Sequence, residues 1–440
     1  MNADTVLTRA LSGTAQASIP SWTGALRARG AARFALLARP TTRDEEWRFT
    51  DLSPFAQTAF VAAPGSKTSP LTLADIAGLT VDEAQTRLVF VDGIYAPALS
   101  IRQDDDHLVV ADLQTAPARH AHTIEAHLGR HASIDTAYFA AQNTASIENA
   151  AVVIVPRDSA ITAPVHLLFI GTQKDVLGFP RALIVAEPGS SVTVLEDYVV
   201  LNPPGGQEEA HLATYFTNTV TEIALADSAR VNHIRLQREG NRALHVGLCA
   251  VSLARASEYT SVSVAFGARI SRVNVEVVHH GERAACTLDG LAMIDGRQLA
   301  DTHTFVDHAK PHGISRQLHK CIAGGSAHAV FNGKVMVRPD AQKIDARQSN
   351  RNLLLSGKAH IDTKPQLEIF ASDVKCTHGA TVGQLDHDEV FYLQSRGLDE
   401  VAARNLLTYA FGAEIVDRIP IDSVKRQLAQ KVLDQTTGAS

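Results

Sequence analysis

The chain has 440 residues, 45% hydrophobic and 20% charged, with 41 Lys plus Arg against 47 Asp plus Glu and a net charge of −6. Those figures exclude a disordered chain, and the acidic balance disfavours a broad nucleic-acid face, whose binding runs on phosphate neutralisation. No apolar run approaches the roughly 20 residues that span a bilayer, and the four cysteines, Cys249, Cys286, Cys321 and Cys376, form no CxxC pair, which disfavours a zinc ribbon or a disulfide framework.

The start, MNADTVLTRALSGT, has no basic segment followed by an apolar one. A secretory signal is therefore not expected, and a cytoplasmic protein with buried thiols is. The first sixty residues read as helical, with Pro20 and Pro40 bracketing one helix of about twenty residues. Residues 43–55, RDEEWRFTDLSPF, are charged and aromatic and end at Pro54-Phe55. Residues 87–99 predict a hairpin, two extended runs around Asp92-Gly93, a pair suited to a tight turn with positive φ. A helical segment follows over about 122–142.

From about Ile147 the texture changes to short β-rich runs, among them AVVIV, HLLFI, RALIVAE, SVTVLEDYV, YTSVSVAF and RVNVEVV. No amphipathic helices separate them, as a doubly wound fold would require for its crossovers. A theme recurs of small residues at a bend followed by an alternating strand, near Gly189, Asp227, Ala256 and Gly325, at gaps of 38, 29 and 69 residues. Irregular multiples of a coil of roughly 20–30 residues predict a right-handed parallel β-helix. A β-sandwich or cupin array also supplies many strands, but with more two-residue Asn-Gly or Asp-Gly hairpins than occur here. After Asp386 the helical period returns, with Asp399 as a cap, Leu398, Ala402, Leu406 and Tyr409 near one stripe, a break at Pro420 and a last helix over about 421–434. Three regions result: a mixed helical region 1–145, a β-helix core 146–386 and a helical region 387–440.

Several chemistries have no motif. Gly333-Lys334 and Gly357-Lys358 lack the other residues of a phosphate-binding GxxxxGK[ST] loop, and GxGxxG, GxSxG and HExxH are absent. Ten of the nineteen histidines lie between His279 and His387, at 279, 280, 303, 308, 312, 319, 328, 360, 378 and 387. Imidazole is a common metal ligand, so the bias admits metal chemistry for some of them, while polar β-helix faces also carry histidines structurally. His279 and His280 are adjacent and on a strand face opposite ways. The sharpest feature is ASDVKCTHGATVGQLD, residues 371–386. On a strand Cys376 and His378 project to one face, about 6.6 Å apart, within reach of one metal or one sulfur. Lys375 adds a charge that favours the thiolate, and Gly379 and Gly383 admit another backbone. Two ligands cannot close a four-coordinate site or hold a cluster, so a metal here needs ligands from elsewhere, most simply from a partner chain. The other reading of the pair is a buried cysteine beside a structural histidine.

At these residues the chain resembles the SufB/SufD family of iron–sulfur cluster assembly subunits. Residues 347–386 resemble its late solenoid segment, EEWRFTDLSPF (45–55) its N-terminal motif, RLVFVDG (87–93) the strand that follows, and residues 390–419 its C-terminal helical segment. CTHGA, in place of the EHEA-like sequence of SufB-type chains, resembles the SufD branch. The YFAAQNTAS stretch (138–146) departs from the family's more usual Leu before the Asn. The resemblance implies a non-catalytic scaffold that pairs with SufB through its β-helix and docks the ABC-type ATPase SufC on its C-terminal helices. It implies that His378, and less firmly Cys376, contributes to a transient iron–sulfur cluster shared with the partner, with no tightly bound cofactor. Nothing identifies a flavin site. The isolated chain is expected to be able to pair with a second copy, and its solenoid to fold without the residues after Asp386. Two rivals stand beside this reading. One is a β-helix carbohydrate-active enzyme, for which Asp301, Asp307, Asp340 and Asp345 are the nearest approach to a carboxylate cluster and read best as solvated turn residues. The other is an interaction scaffold without metal chemistry.

Overall fold

From Ala151 onward the chain lays down strands that alternate between two sheets. One sheet runs from Ala151–Val155 through Arg181–Ala186, Phe216–Leu225, Leu244–Leu253, Ile270–His279, Leu299–His308 and His328–Val337 to His360–Ile369. The other runs from Val165–Gly171 through Ser191–Val200, Arg230–Arg238, Glu258–Ala265, Ala285–Ile294, Ile314–Ala323 and Ile344–Leu354 to Val374–Gly383. Each of these strands pairs in parallel with its predecessor and successor in the same sheet, a parallel β-solenoid, in a computed structural model that describes residues 21–62, 71–202 and 213–437. Because a strand's partner arrives only after a full coil through the opposite sheet, no helical crossover is needed. The inward residues of both sheets, such as Val153, Val194, Val231, Cys286 and Leu288, fuse into one apolar core.

The corners explain the imperfect repeat. One corner holds a residue with positive φ in each coil: Asp158, Gly189, Ser228, Ala256, Arg283, His312 and Lys343. Successive spacings are 31, 39, 28, 27, 29 and 31 residues. The amide of each donates to the carbonyl just before its successor, as in Ser228 to Arg255 (2.9 Å), Ala256 to Glu282 (2.9 Å) and Arg283 to Pro311 (3.1 Å). Gly325 lies on the opposite corner with Ala268 and Gly296. The recurring sequence theme had therefore mixed two corners, and the gap of 69 residues concealed Arg283 and His312.

The two ends differ. At the first, the predicted hairpin forms, with Asp92 at φ 51° and Gly93 at φ 85° joining Thr86–Val91 to Ile94–Tyr95. Thr86–Val91 extends the second sheet beside Val165–Gly171, and Val109–Asp112 pairs antiparallel with Ala151–Val155. Strands from before residue 146 thus continue both sheets and close the first coil. At the far end, His360–Ile369 and Val374–Gly383 each have a ladder neighbour on one side only.

The N-terminal helix spans Ser21–Leu36; the residues before it lie outside the described ones. The single helix expected over about 122–142 is two, Ala121–His127 and Tyr138–Ala145. Gly129, at φ 74°, ends the first. The amides of Gly129, His131 and Ala132 then donate to the buried Glu222 carboxylate, which also pairs with Arg181 at 2.6 Å. A long-range anion thus captures the chain between the helices.

After the solenoid come helices His387–Ser395, Glu400–Val416 and Asp422–Thr437. Asp399 caps the second as predicted, accepting from the Ala402 amide at 2.7 Å. The buried stripe is not the predicted one: Ala403, Thr408, Gly412, Ile415 and Val416 face inward, while Leu406 is 45% exposed. Ile415, Val416, Ile419, Val424, Leu428 and Val432 pack on the outer face of the second sheet against Leu236, Val264, Leu291 and Leu318. Ion pairs Lys320–Glu414 (2.5 Å) and Arg418–Asp289 (2.8 Å) fix the position. Removing these helices would bare that apolar face.

Candidate functional site

The Cys376–His378 pair sits on Val374–Gly383, the last strand of the second sheet, directly over Ala346 and Gln348 of the preceding coil. Alternation puts both side chains on one face. Cys376 is half-buried and packs against the buried cluster that includes Val335, Ile344 and Ala346, which makes this the lumen-facing side. His378, two residues on, is exposed, because no further coil closes over it. Beneath it Gln348 is 3% exposed, and neither of its amide atoms has a hydrogen-bond partner. A side chain built at Gly379 or Gly383 would meet nothing within 4 Å, whereas one at Gly290 or Gly333, deeper in the stack, would collide with His319 or Gln348. The mouth of the last coil is open, rimmed by an imidazole and a thiol.

Electrostatics correct one expectation. Burial pushes the Cys376 thiol up, and the Asp345 carboxylate adds to that rise. Lys375 faces the opposite way, as neighbours on a strand must, and its charge acts on Asp345 instead of favouring a thiolate. Among the described residues no third His, Cys, Asp or Glu joins Cys376 and His378 to make a three-ligand group.

The remaining histidines separate into distinct environments. His279, His308 and His319 are buried in the lumen. Burial lowers all three, His308 to about 4 and His319 to about 3, so they stay neutral. His279 ends the strand Ile270–His279, and His280, just beyond it, is exposed. His303 bonds Asp301 at 2.9 Å and pairs with Glu46 at 3.3 Å. His328 and His360 are register partners on the first sheet and converge with Asp362. The histidine excess in the sequence includes the two imidazoles, but only strand register reveals that Asp362 completes the group.

The carboxylates of the carbohydrate-enzyme reading do not assemble. Asp301 is buried against Arg272 at 2.5 Å, Asp307 is held by Arg338 at 2.6 Å and Asp345 by Arg316 at 2.7 Å. Asp301 and Asp307 are 1% and 4% exposed, so they are internal ion-pair partners and not the solvated turn residues expected. Among the described residues no helix is long and apolar enough to cross a membrane.

Comparison of the sequence with known proteins identifies its family. The model of the SUF system FeS cluster assembly SufBD core domain covers residues 169–411, and that of the SufBD protein N-terminal region covers residues 12–167. An iron–sulfur cluster assembly SufBD family protein of Synechocystis is 40% identical over 91% of this chain and 88% of its own length. The iron–sulfur cluster assembly protein SufD of Escherichia coli is 33% identical over 91% of this chain and 90% of its own, and that of Bacillus subtilis 27% identical over 94% of each. The chain belongs to the SufBD family of iron–sulfur cluster assembly proteins.

Proposed function

We propose that this SufBD-family chain is the SufD-type scaffold of a Suf iron–sulfur assembly complex, working in the cytoplasm and performing no turnover of its own. One observation carries the reading: the last coil ends in two bare strand edges around a lumen mouth that offers an imidazole and a thiol, too few ligands for a cluster. A second solenoid of the same family, SufB, is the natural complement, because its own terminal strands can satisfy the bare edges and its side chains can supply the missing ligands. The free chain can use the same edges to pair with a second copy. His378 acts at that seam as a transient ligand or proton carrier of the nascent cluster, with Cys376 as the second candidate. Shared ligation that includes imidazole holds the cluster loosely enough to be passed to an acceptor.

The C-terminal helices dock the ATPase SufC. Their inner faces are spent on the solenoid, yet Phe391, Tyr392, Val401 and Leu406 remain exposed at 64%, 57%, 52% and 45%. Large apolar groups left outward on helices that have already packed once fit a protein contact. ATP-driven pairing of two such subunits would pull on the helices, and the ion pairs of Lys320 and Arg418 connect those helices to the second sheet, whose last strand carries His378.

The test is His378→Ala in the purified complex with the SufB-type partner and the ATPase, with cluster reconstitution followed by visible absorption and iron and sulfide content. Cluster yield should fall while the complex stays assembled. Unchanged yield in an intact complex would remove His378 from the chemistry, and equal loss in Cys376→Ala would enlist the thiol.

A further inference from the structure

We propose that His328, His360 and Asp362 form a binding site for a divalent first-row transition-metal ion on the outer face of the first sheet, separate from the Cys376–His378 pair. Backbone register builds the site. His328 and His360 are directly paired across adjacent parallel strands, and Asp362 lies two residues beyond His360 on the same face. Three ligand-bearing residues are therefore placed by the sheet itself, before any side chain chooses a rotamer.

The ligand atoms converge. His328 Nε2 lies 2.8 Å and His360 Nε2 3.3 Å from the same oxygen, Oδ2 of Asp362, and all three ligand atoms lie within 4.8 Å of one another. Nitrogen and oxygen ligands at about 2.0–2.2 Å from one ion stand roughly 2.9–3.5 Å apart, from right-angled to tetrahedral geometry. Side-chain rotation that sets the two imidazole nitrogens at this spacing would admit the ion. An ordinary ion pair needs one imidazole on a carboxylate; here two are aimed at a single oxygen. Lys364, the next residue on the same face, does not compete for Asp362, because its Nζ is taken by Glu45 at 2.7 Å. The same N-terminal segment sets the Phe49 ring edge-on to His328 at 6.3 Å, an apolar wall on one side of the group.

Two imidazoles and one carboxylate select the class of ion. Calcium and magnesium take oxygen ligands, whereas zinc, iron, cobalt and nickel accept this mixed set. Three protein ligands leave a coordination position for water or an exchangeable ligand, as in open zinc sites. His328 and Asp362 are 26% and 27% exposed at the side chain and His360 is 69% exposed, so the ion can enter from solvent by way of His360.

The experiment titrates the purified full-length chain with Co2+ and reads the visible d–d absorption, followed by displacement with Zn2+. One Co2+ per chain is expected, bleached by Zn2+. His360→Ala, an exposed position whose loss leaves the fold intact, should weaken binding by more than about 100-fold, since even outer-shell losses cost 10–100-fold. His328→Gln with His360→Ala should abolish it, while His378→Ala and Cys376→Ala bind as the unmodified chain does. Wild-type affinity in His360→Ala, or no Co2+ band at millimolar metal, would overturn the proposal. So would a band that disappears in His378→Ala, which would place the ion at the lumen mouth.

Discussion

Replacing Phe391 and Tyr392 together by alanine tests the docking role proposed for the C-terminal helices. These rings are 64% and 57% exposed on the helix His387–Ser395. An aromatic side chain presents about 150–250 Å², so each offers roughly 120 Å² to a partner, worth about 3 kcal/mol at 25 cal/mol per Å² if covered completely. Ordering the rings and incomplete coverage reduce this, and about 1.5–2 kcal/mol per ring is the working expectation. The double variant should therefore weaken binding of the ABC-type ATPase by about two to three orders of magnitude. Isothermal titration of the ATPase into the full chain measures the effect. Because neither ring belongs to the packed interior, the thermal midpoint should stay within about 1 °C of the parent. Undiminished affinity would refute the assignment, and a fall in affinity matched by a large fall in midpoint would show that the rings serve the fold.

Other perturbations follow from the interior. Arg272→Met strands the buried Asp301 with only His303 and Thr50 for company, which should cost about 3–5 kcal/mol. With an unfolding entropy near 2.1 cal/mol/K per residue, the midpoint of the 440-residue chain should fall about 3–5 °C. Trp47, whose ring centre lies 3.9 Å from the guanidinium, should shift its emission; an unmoved midpoint and spectrum would refute the coupling. Burial alone would raise the Asp301 carboxyl, but Arg272 and His303 hold it at about 2, below its unfolded value near 3.9. Its stabilisation is thus present above about pH 4 and lost as pH falls through 2. Asp301→Asn should accordingly flatten the acid limb of an unfolding profile by about 2 kcal/mol over that window, and an unchanged limb would contradict the assignment. Gly290→Ala drives a methyl group into His319, whose ring is stacked on Phe331 at 4.6 Å, and should cost about 1–3 kcal/mol in chemical denaturation.

What could be read from the chain was whatever local chemistry decides. Asp92-Gly93 specified its turn, Asp399 its cap, and the alternating runs their strands, because none of these depends on a distant residue. The corners were harder: Ser228, Ala256, Arg283, His312 and Lys343 adopt positive φ without being glycine, so their conformation comes from the hydrogen bonds of stacked coils and leaves little trace in composition. The loop around Glu222 depends on a carboxylate some ninety residues away, which no helical period discloses. At the site, the Cys376–His378 spacing was legible because a strand has a period of two. The charge around it was not, since Asp345 reaches Cys376 only through inter-strand register. The same register, invisible in one dimension, joins Asp362 to two histidines.

The unequal ends of the solenoid set a limit on growth. A stack of coils with both rims unpaired could add copies without end, as amyloid does. Here short antiparallel hairpins cap one rim, while His360–Ile369 and Val374–Gly383 leave the last parallel coil unpaired at the other. When two such rims meet, each uses up the other. If the proposed pairing runs through this rim, association there stops at two, a geometry that disfavours filaments.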